Sequence, residues 1–231
     1  MQKFLITGSS SGVGKYLTEN LLEQNNVVGI ARRNNFKHIN YHHITLDLAK
    51  VSLVTDKAKQ IAKEHEDINH IIINAGFGYF KELDQFSEKQ IIELFNVNII
   101  SQIILLRFLL SNLRKQKNSK IIFIGSEAAL NGAKKATIYA ATKFAMRGFA
   151  QSLRAELKQD NIAVTMLNPG VMDSDFYKNL DFTFATEKAN KINLKDIFML
   201  IDLICKLDNH MVIDEINLTP MKNHIKYKVK S

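Results

Sequence analysis

The sequence predicts an α/β fold, a doubly wound and mainly parallel sheet of seven strands flanked by helices on both faces. Two observations carry this reading. Seven short apolar runs alternate with five longer amphipathic stretches along 231 residues, the order that builds a parallel sheet with helical crossovers. Most of the runs are apolar at nearly every position, as strands are when both faces of a sheet are covered.

The strands are read as Phe4–Thr7, Val27–Ala31, His43–Leu46, Ile71–Asn74, Ile121–Gly125, Ala163–Leu167 and Met211–Ile216. Each is rich in β-branched or bulky residues and bounded by turn or polar ones. Helical patterns fill Val13–Gln24, Ser52–His65, Glu88–Leu113, Thr137–Gln159 and Leu194–Lys206. Within the third, Ile91, Phe95, Ile99, Ile103, Leu106 and Leu110 recur at helical spacing and read as a core stripe. No repeat or flexible linker divides the chain, so residues 1–231 are expected to form one domain.

Composition narrows the function classes. Hydrophobic residues make up 46% of the chain, too many for disorder. The single cysteine, Cys205, cannot form an internal disulfide, which fits a reducing compartment, and the N-terminus shows no export signal. A cytoplasmic location is the expectation. The most apolar run, Ile99 to Leu110, is interrupted by Ser101, Gln102 and Arg107 and falls short of a membrane span. The net charge is +8, but Lys222, Lys226, Lys228 and Lys230 supply four of these charges in a basic tail at 221–231, read as a solvated terminus. No basic helix or aromatic RNA-binding signature accompanies the charge, so neither nucleic acid nor membrane is expected as a partner.

The chemistry is expected where strands end, because open parallel sheets bind ligands beyond their carboxyl ends. The first strand runs into Thr7-Gly8-Ser9-Ser10-Ser11-Gly12-Val13-Gly14, where a helix begins. Glycines there let the backbone turn and approach a ligand, and the helix N-terminus offers free N–H groups to a diphosphate. Thr7, Gly8, Ser10, Ser11, Gly12, Val13 and Gly14 are therefore candidate dinucleotide contacts. A fold preferring NAD carries an acid at the end of the second strand. Here that region reads Gly29-Ile30-Ala31-Arg32-Arg33. A guanidinium can grip a 2′-phosphate through two parallel hydrogen bonds. NADP(H), rather than NAD(H), is thus the expected cofactor, with Arg32 the main contact and Arg33 assisting.

Tyr139 and Lys143, four residues apart, share a helix face. Ser126 follows the fifth strand, thirteen residues before the tyrosine, and Asn98 lies in the preceding long helix. Together with the glycine loop, Asp47, Asn74-Ala75-Gly76, Tyr139-Ala140-Ala141-Thr142-Lys143 and Pro169-Gly170, these residues make the chain resemble the short-chain dehydrogenase/reductase family. The match runs from the first strand to about Ser174. The resemblance implies a Rossmann-like fold and an enzyme interconverting a small-molecule carbonyl and alcohol. It places Asp47 at the adenine, Asn74, Ala75 and Gly76 at the cofactor cleft, and Pro169, Gly170 and Ser174 near the nicotinamide. It also implies that Lys143 bonds the nicotinamide ribose, that Asn98 holds a relay water, and that the protein assembles as a homodimer or homotetramer.

The acid–base logic stands on its own. Hydride addition to a carbonyl leaves an alkoxide that needs a proton. A phenol titrates near 10, and an ammonium about 4 Å away stabilises its anion by up to about 4 kcal/mol at an effective dielectric of 20. Tyr139 is therefore the expected proton donor, Lys143 the group that lowers its pKa, and Ser126 the donor polarising the substrate oxygen. Residues 171–193 form the expected substrate lid, with Phe176, Tyr177, Phe182 and Phe184 as a possible aromatic wall. Lys134 and Lys135 are balanced by Glu127 and Asp173. The alternative is a non-catalytic NADP(H) sensor on the same fold. Gly125-Ser126-Glu127 lacks the elbow of a serine hydrolase. His38 and His42, with His43, have helical spacing, but no nearby acid or cysteine in the sequence completes a metal site, and none is expected.

Overall fold

The structure, a computed structural model, describes residues 1–174, 176, 182–184, 188–222 and 225–227, with 182–184 and 225–227 described by their backbone. In chain order the main elements are β1 (Lys3–Thr7), α1 (Gly12–Leu21), β2 (Asn26–Ala31), β3 (Tyr41–Thr45), α2 (Val51–Glu64) and β4 (His70–Ile73). They continue with α3 (Glu88–Phe95), a π turn over Asn96–Ile100, α4 (Ser101–Lys115), β5 (Lys120–Ile124), α5 (Thr137–Leu157) and β6 (Ala163–Pro169). Last come β7 (Phe182–Phe184), α6 (Leu194–Lys206), β8 (Glu215–Leu218) and β9 (Ile225–Tyr227).

Seven strands form one sheet in the order β3-β2-β1-β4-β5-β6-β8. Every pair in it is parallel. This is the doubly wound fold that the alternating pattern predicts. The chain works outward from β1 to β3, then crosses back to β4 on the other side of β1. A crevice opens at that reversal, beyond the carboxyl ends of β1 and β4.

The strands' continuous apolarity is divided by the pleat into two cores. Leu5, Val28, Ile71, Ile73, Ile121 and Phe123 face one way and pack with α2, α4 and α5. Phe4, Ile6, Val27, Ile72, Ile122 and Ile124 face the other way, onto Leu17 and Leu21 of α1 and Ile197, Ile201 and Ile204 of α6. Neighbours along one strand thus anchor opposite helical layers, which holds the strand ends in place.

Three features depart from the sequence reading. The last sheet strand begins at Glu215 rather than Met211, because its partner on β6 is reached only from Met166 onward, and Met211 and Val212 stay exposed before it. The long helix is interrupted by the π turn. Taken whole, Glu88–Lys115 is 28 residues and apolar enough to cross a membrane by length and composition, unlike the shorter run read from the sequence. In the fold Leu94, Leu105, Leu106, Leu109 and Leu113 lie fully in the core. Finally, β9 of the basic tail pairs antiparallel with β7, so this stretch is tied to the 171–193 segment instead of trailing into solvent. Tyr177, Lys228 and Lys230 lie outside the described residues.

Candidate active site

The glycine loop is shaped by close backbone approach. Gly8 has φ +73°, a left-handed conformation that favours glycine. At Gly14 a Cβ would sit 2.2 Å from the Gly8 carbonyl oxygen and 2.5 Å from Asn74 Nδ2. Only glycine lets the first turn of α1 press against the end of β1. Ser11, at the N-cap of α1, makes no side-chain cap bond, so the first N–H groups of the helix are not capped by it.

Thr7 and Asn74 join the two strands at the crevice. The Thr7 hydroxyl accepts from the N–H groups of Asn74 and Ala75, both at 3.0 Å. In return Asn74 Nδ2 donates to the carbonyls of Thr7 at 3.0 Å and Gly8 at 3.3 Å. Beyond them lies a cleft of about 580 Å³ that runs from Arg32 and Asp47 to Tyr139, Lys143 and Phe176. Ser10, Gly12, Val13, Ala75, Gly76, Ser126, Pro169, Gly170 and Ser174 also line it. Thr7, Gly14 and Asn98 do not line the cleft, and neither does the exposed Arg33.

At the far end, Tyr139 and Lys143 come off one face of α5, 6% and 7% exposed. Lys143 Nζ lies 5.8 Å from the Tyr139 ring centroid and donates to the Ile124 carbonyl at 3.3 Å. The Ser126 hydroxyl is near enough to the Tyr139 phenol to pull its pKa down, and it accepts from the Ala128 N–H at 3.2 Å. Asn98 sits on the π turn, 2% exposed. Its Oδ1 accepts from the Phe77 N–H at 3.0 Å, while Nδ2 donates to the Phe77 carbonyl at 2.9 Å and to Thr142 Oγ1 at 3.0 Å. A Cβ on Gly76 would meet both Asn98 Oδ1 at 3.2 Å and Lys143 Nζ at 3.6 Å. Ser126, Tyr139 and Lys143 therefore converge on one end of the cleft, with Asn98 buried behind Gly76 and outside its lining.

Comparison with known proteins decides the family. Residues 2–183 match the family described as short chain dehydrogenase. The chain belongs to the short-chain dehydrogenases. Among its relatives is a 3-ketodihydrosphingosine reductase of Bacteroides thetaiotaomicron, 29% identical over 186 residues, covering 80% of this chain and 69% of the relative. A 3-oxoacyl-acyl-carrier-protein reductase of Buchnera aphidicola is 30% identical over 200 residues, covering 83% and 82% respectively. A solved short chain dehydrogenase family protein from Francisella tularensis superposes with TM-score 0.83 at 25% identity, over 94% of this chain and 96% of that one. This short-chain dehydrogenase is accordingly an oxidoreductase of a family that binds nicotinamide cofactors.

The electrostatics of the dehydrogenase correct one expectation. Burial pushes the Tyr139 phenol up to about 12; the Ser126 hydroxyl pulls it back in part, and the charge of Glu127 raises it further. Burial likewise lowers Lys143 to about 8. The ammonium-lowered phenol expected from the spacing is not what this structure holds. Burial dominates both groups, and the Lys143 amine bonds a carbonyl of β5.

The sequence reading also passed over part of the wall. Phe80 lies 5.3 Å from Tyr139 between ring centroids, and Phe176 lies 5.9 Å from Tyr139 and 6.3 Å from Phe80. Phe77, Gly78 and Tyr79 line the cleft beside them, and the Tyr79 hydroxyl donates to Glu93 Oε2 at 3.3 Å. The available signal was position. Phe77-Gly78-Tyr79-Phe80 follows Asn74-Ala75-Gly76 directly, beyond a strand end of the kind that builds such sites. Glu127 is half-buried, with burial raising its carboxyl, and its Oε2 lies 2.8 Å from where a Gly170 Cβ would stand.

Proposed function

We propose that this protein is an NADP(H)-dependent dehydrogenase/reductase that interconverts a neutral, largely apolar carbonyl compound and its alcohol. The observation that carries the reading is the buried Tyr139 phenol at the cleft, with Ser126 beside it and Lys143 one helical turn along. NADP(H), when bound, supplies or takes up the hydride. Arg32, at the other end of the cleft and without a salt bridge among the described residues, supports recognition of a 2′-phosphate. Asp47 would stand at the adenine, and the uncapped start of α1 at the diphosphate.

The reaction assigned to the side chains is a proton relay. In reduction, Tyr139 passes its proton to the oxygen of the carbonyl as the carbon takes the hydride. Ser126 donates to that same oxygen, stabilising the charge that develops on it. Lys143, with a pKa near the working range at about 8, can return a proton toward Tyr139. Asn98, fixed by its three bonds to the Phe77 and Thr142 positions, is the assigned anchor of the water that connects Lys143 to solvent. In the oxidising direction each transfer reverses.

The aromatic surfaces of Phe77 and Phe176, which line the cleft with Tyr139, support an apolar substrate. The relatives' names, which speak of 3-keto and 3-oxoacyl groups, support a ketone. We further assign a cytoplasmic location, in keeping with the single buried thiol of Cys205. A homodimer or homotetramer formed through α5 and the turn leading into α4 is supported by Phe144, 44% exposed, and Ile100, 39% exposed. NADPH oxidation over a panel of ketones, comparing wild type with Tyr139→Phe, tests the function. Equal turnover by the two proteins would remove Tyr139 as the proton donor, whereas tight NADPH binding without turnover of any ketone would favour the sensor alternative.

A further inference from the structure

At the end of the sheet away from the cleft, three side chains with metal-ligating chemistry come together. His42 is the second residue of the edge strand β3, Glu64 ends α2, and His65 follows it. One donor atom from each lies within 4.8 Å of the other two. The two imidazole rings meet edge to face with centroids 4.6 Å apart. We propose that His42, Glu64 and His65 form a binding site for a divalent transition-metal ion of the zinc type, with water completing the coordination.

Two imidazoles and a carboxylate suit a borderline ion such as zinc, which takes nitrogen and carboxylate oxygen at about 2.0–2.2 Å in a tetrahedral arrangement. Ligand atoms around such an ion stand roughly 3.4 Å apart, so the present spread must contract by an ångström or so. The ligands able to move are the outer ones, since His42 and Glu64 are exposed. The inner one is held. The His65 N–H donates to the Ile61 carbonyl at 2.9 Å, and its carbonyl accepts from Asn112 Nδ2 at 3.3 Å.

A second, independent feature points to a ligand. His65 is only 7% exposed, and its Nε2 has no hydrogen-bond partner among the described residues. Buried polar atoms seldom stay unmatched. The Glu64 carboxylate is itself oriented, as its Oε1 accepts from Gln60 Nε2 at 2.8 Å. Among neighbouring charges, Lys3 is matched by Asp67 at 2.7 Å. His43 points its Nδ1 to the Tyr41 hydroxyl at 3.3 Å and does not belong to the group. An ion here would tie the sheet's edge strand to the end of α2.

The test uses tag-free, full-length protein freed of metal with a chelator, titrated with zinc chloride by calorimetry and with cobalt(II) by visible absorption. The expected result is one saturable equivalent, cobalt bands of tetrahedral intensity, and a Tm rise of about 5–10 °C at a hundredfold excess of zinc over Kd. Loss of an outer partner of a metal ligand costs about 10–100-fold in affinity, so His42→Ala or Glu64→Gln should weaken binding by at least ~10-fold. His38→Ala should leave it unchanged. His42 is exposed, and equal Tm values of wild type and His42→Ala without metal would show the variant folded. Wild type that fails to saturate with either ion, or His42→Ala that binds as wild type does, would overturn the site. None of these readouts uses turnover, so the outcome is independent of the proposed reaction.

Discussion

Thr7→Val removes a hydroxyl while keeping the shape of a fully buried side chain at the strand reversal. The hydroxyl is the acceptor for two backbone donors, the N–H groups of Asn74 and Ala75, each at 3.0 Å. A donor left unpaired on burial costs about 1–3 kcal/mol. Asn74 and Ala75 are half-buried rather than sealed, which places each near the lower part of that range, about 1–2 kcal/mol, and the pair at about 2–4 kcal/mol. For a chain of this size that corresponds to a Tm lower by roughly 4–16 °C. The measurement is urea unfolding of wild type, Thr7→Val and Thr7→Ser, followed by circular dichroism. Thr7→Ser keeps the acceptor and should lose less, while the denaturant slope of Thr7→Val should match wild type. Because the same bonds set the distance between β1 and β4, NADPH affinity should fall along with stability. A Thr7→Val protein within about 0.5 kcal/mol of wild type, the range of inconsequential substitutions, would show that these two bonds do not hold the crevice.

Tyr139→Phe should lower carbonyl reduction by about 10²–10⁴-fold while leaving NADPH affinity, read by fluorescence titration, near wild type. Arg32→Ala should weaken NADPH by about 10–100-fold, the loss of one charged hydrogen-bonding partner, and leave NADH unchanged; equal losses would mean that Arg32 does not read the 2′-phosphate. Glu127 raises the Tyr139 phenol, so Glu127→Gln should shift the tyrosine limb of the pH–rate profile for alcohol oxidation toward lower pH. His70 is fully buried, with its ring 4.9 Å from Phe4, and burial lowers it to about 4. Its stabilising effect is complete above the unfolded value near 6.5 and is lost as pH falls through about 4. That loss amounts to about 3 kcal/mol, and His70→Leu should flatten the stability profile over this window.

Much of the fold was legible because its signals are local. Phe4-Leu5-Ile6, Ile71-Ile72-Ile73 and Ile121-Ile122-Phe123 are buried on both sides of a sheet, and β-branched runs between turn residues report that without knowledge of their neighbours. The left-handed Gly8, and the Gly14 that lets α1 press against the end of β1, likewise announced themselves, as did the single-turn spacing of Tyr139 and Lys143. The apolar stripe around Ile99 foretold a helix but not its π turn, because an inserted residue hardly disturbs an apolar stripe and depends on what Asn98 and Ser101 can bond across the chain.

Thus the order of elements, the glycine loop and the one-turn spacing of Tyr139 and Lys143 were set by the sequence alone, each by residues within a few positions of one another. Only the tertiary structure decided how acidic Tyr139 is, because desolvation sums over every group packed around it. The folded chain also brought Phe80 against Tyr139 and Phe176, paired β9 with β7, and set His42 beside Glu64 and His65. Those contacts join residues 22 or more positions apart, and such distances are closed by the packing of whole elements, which no short stretch of chain encodes.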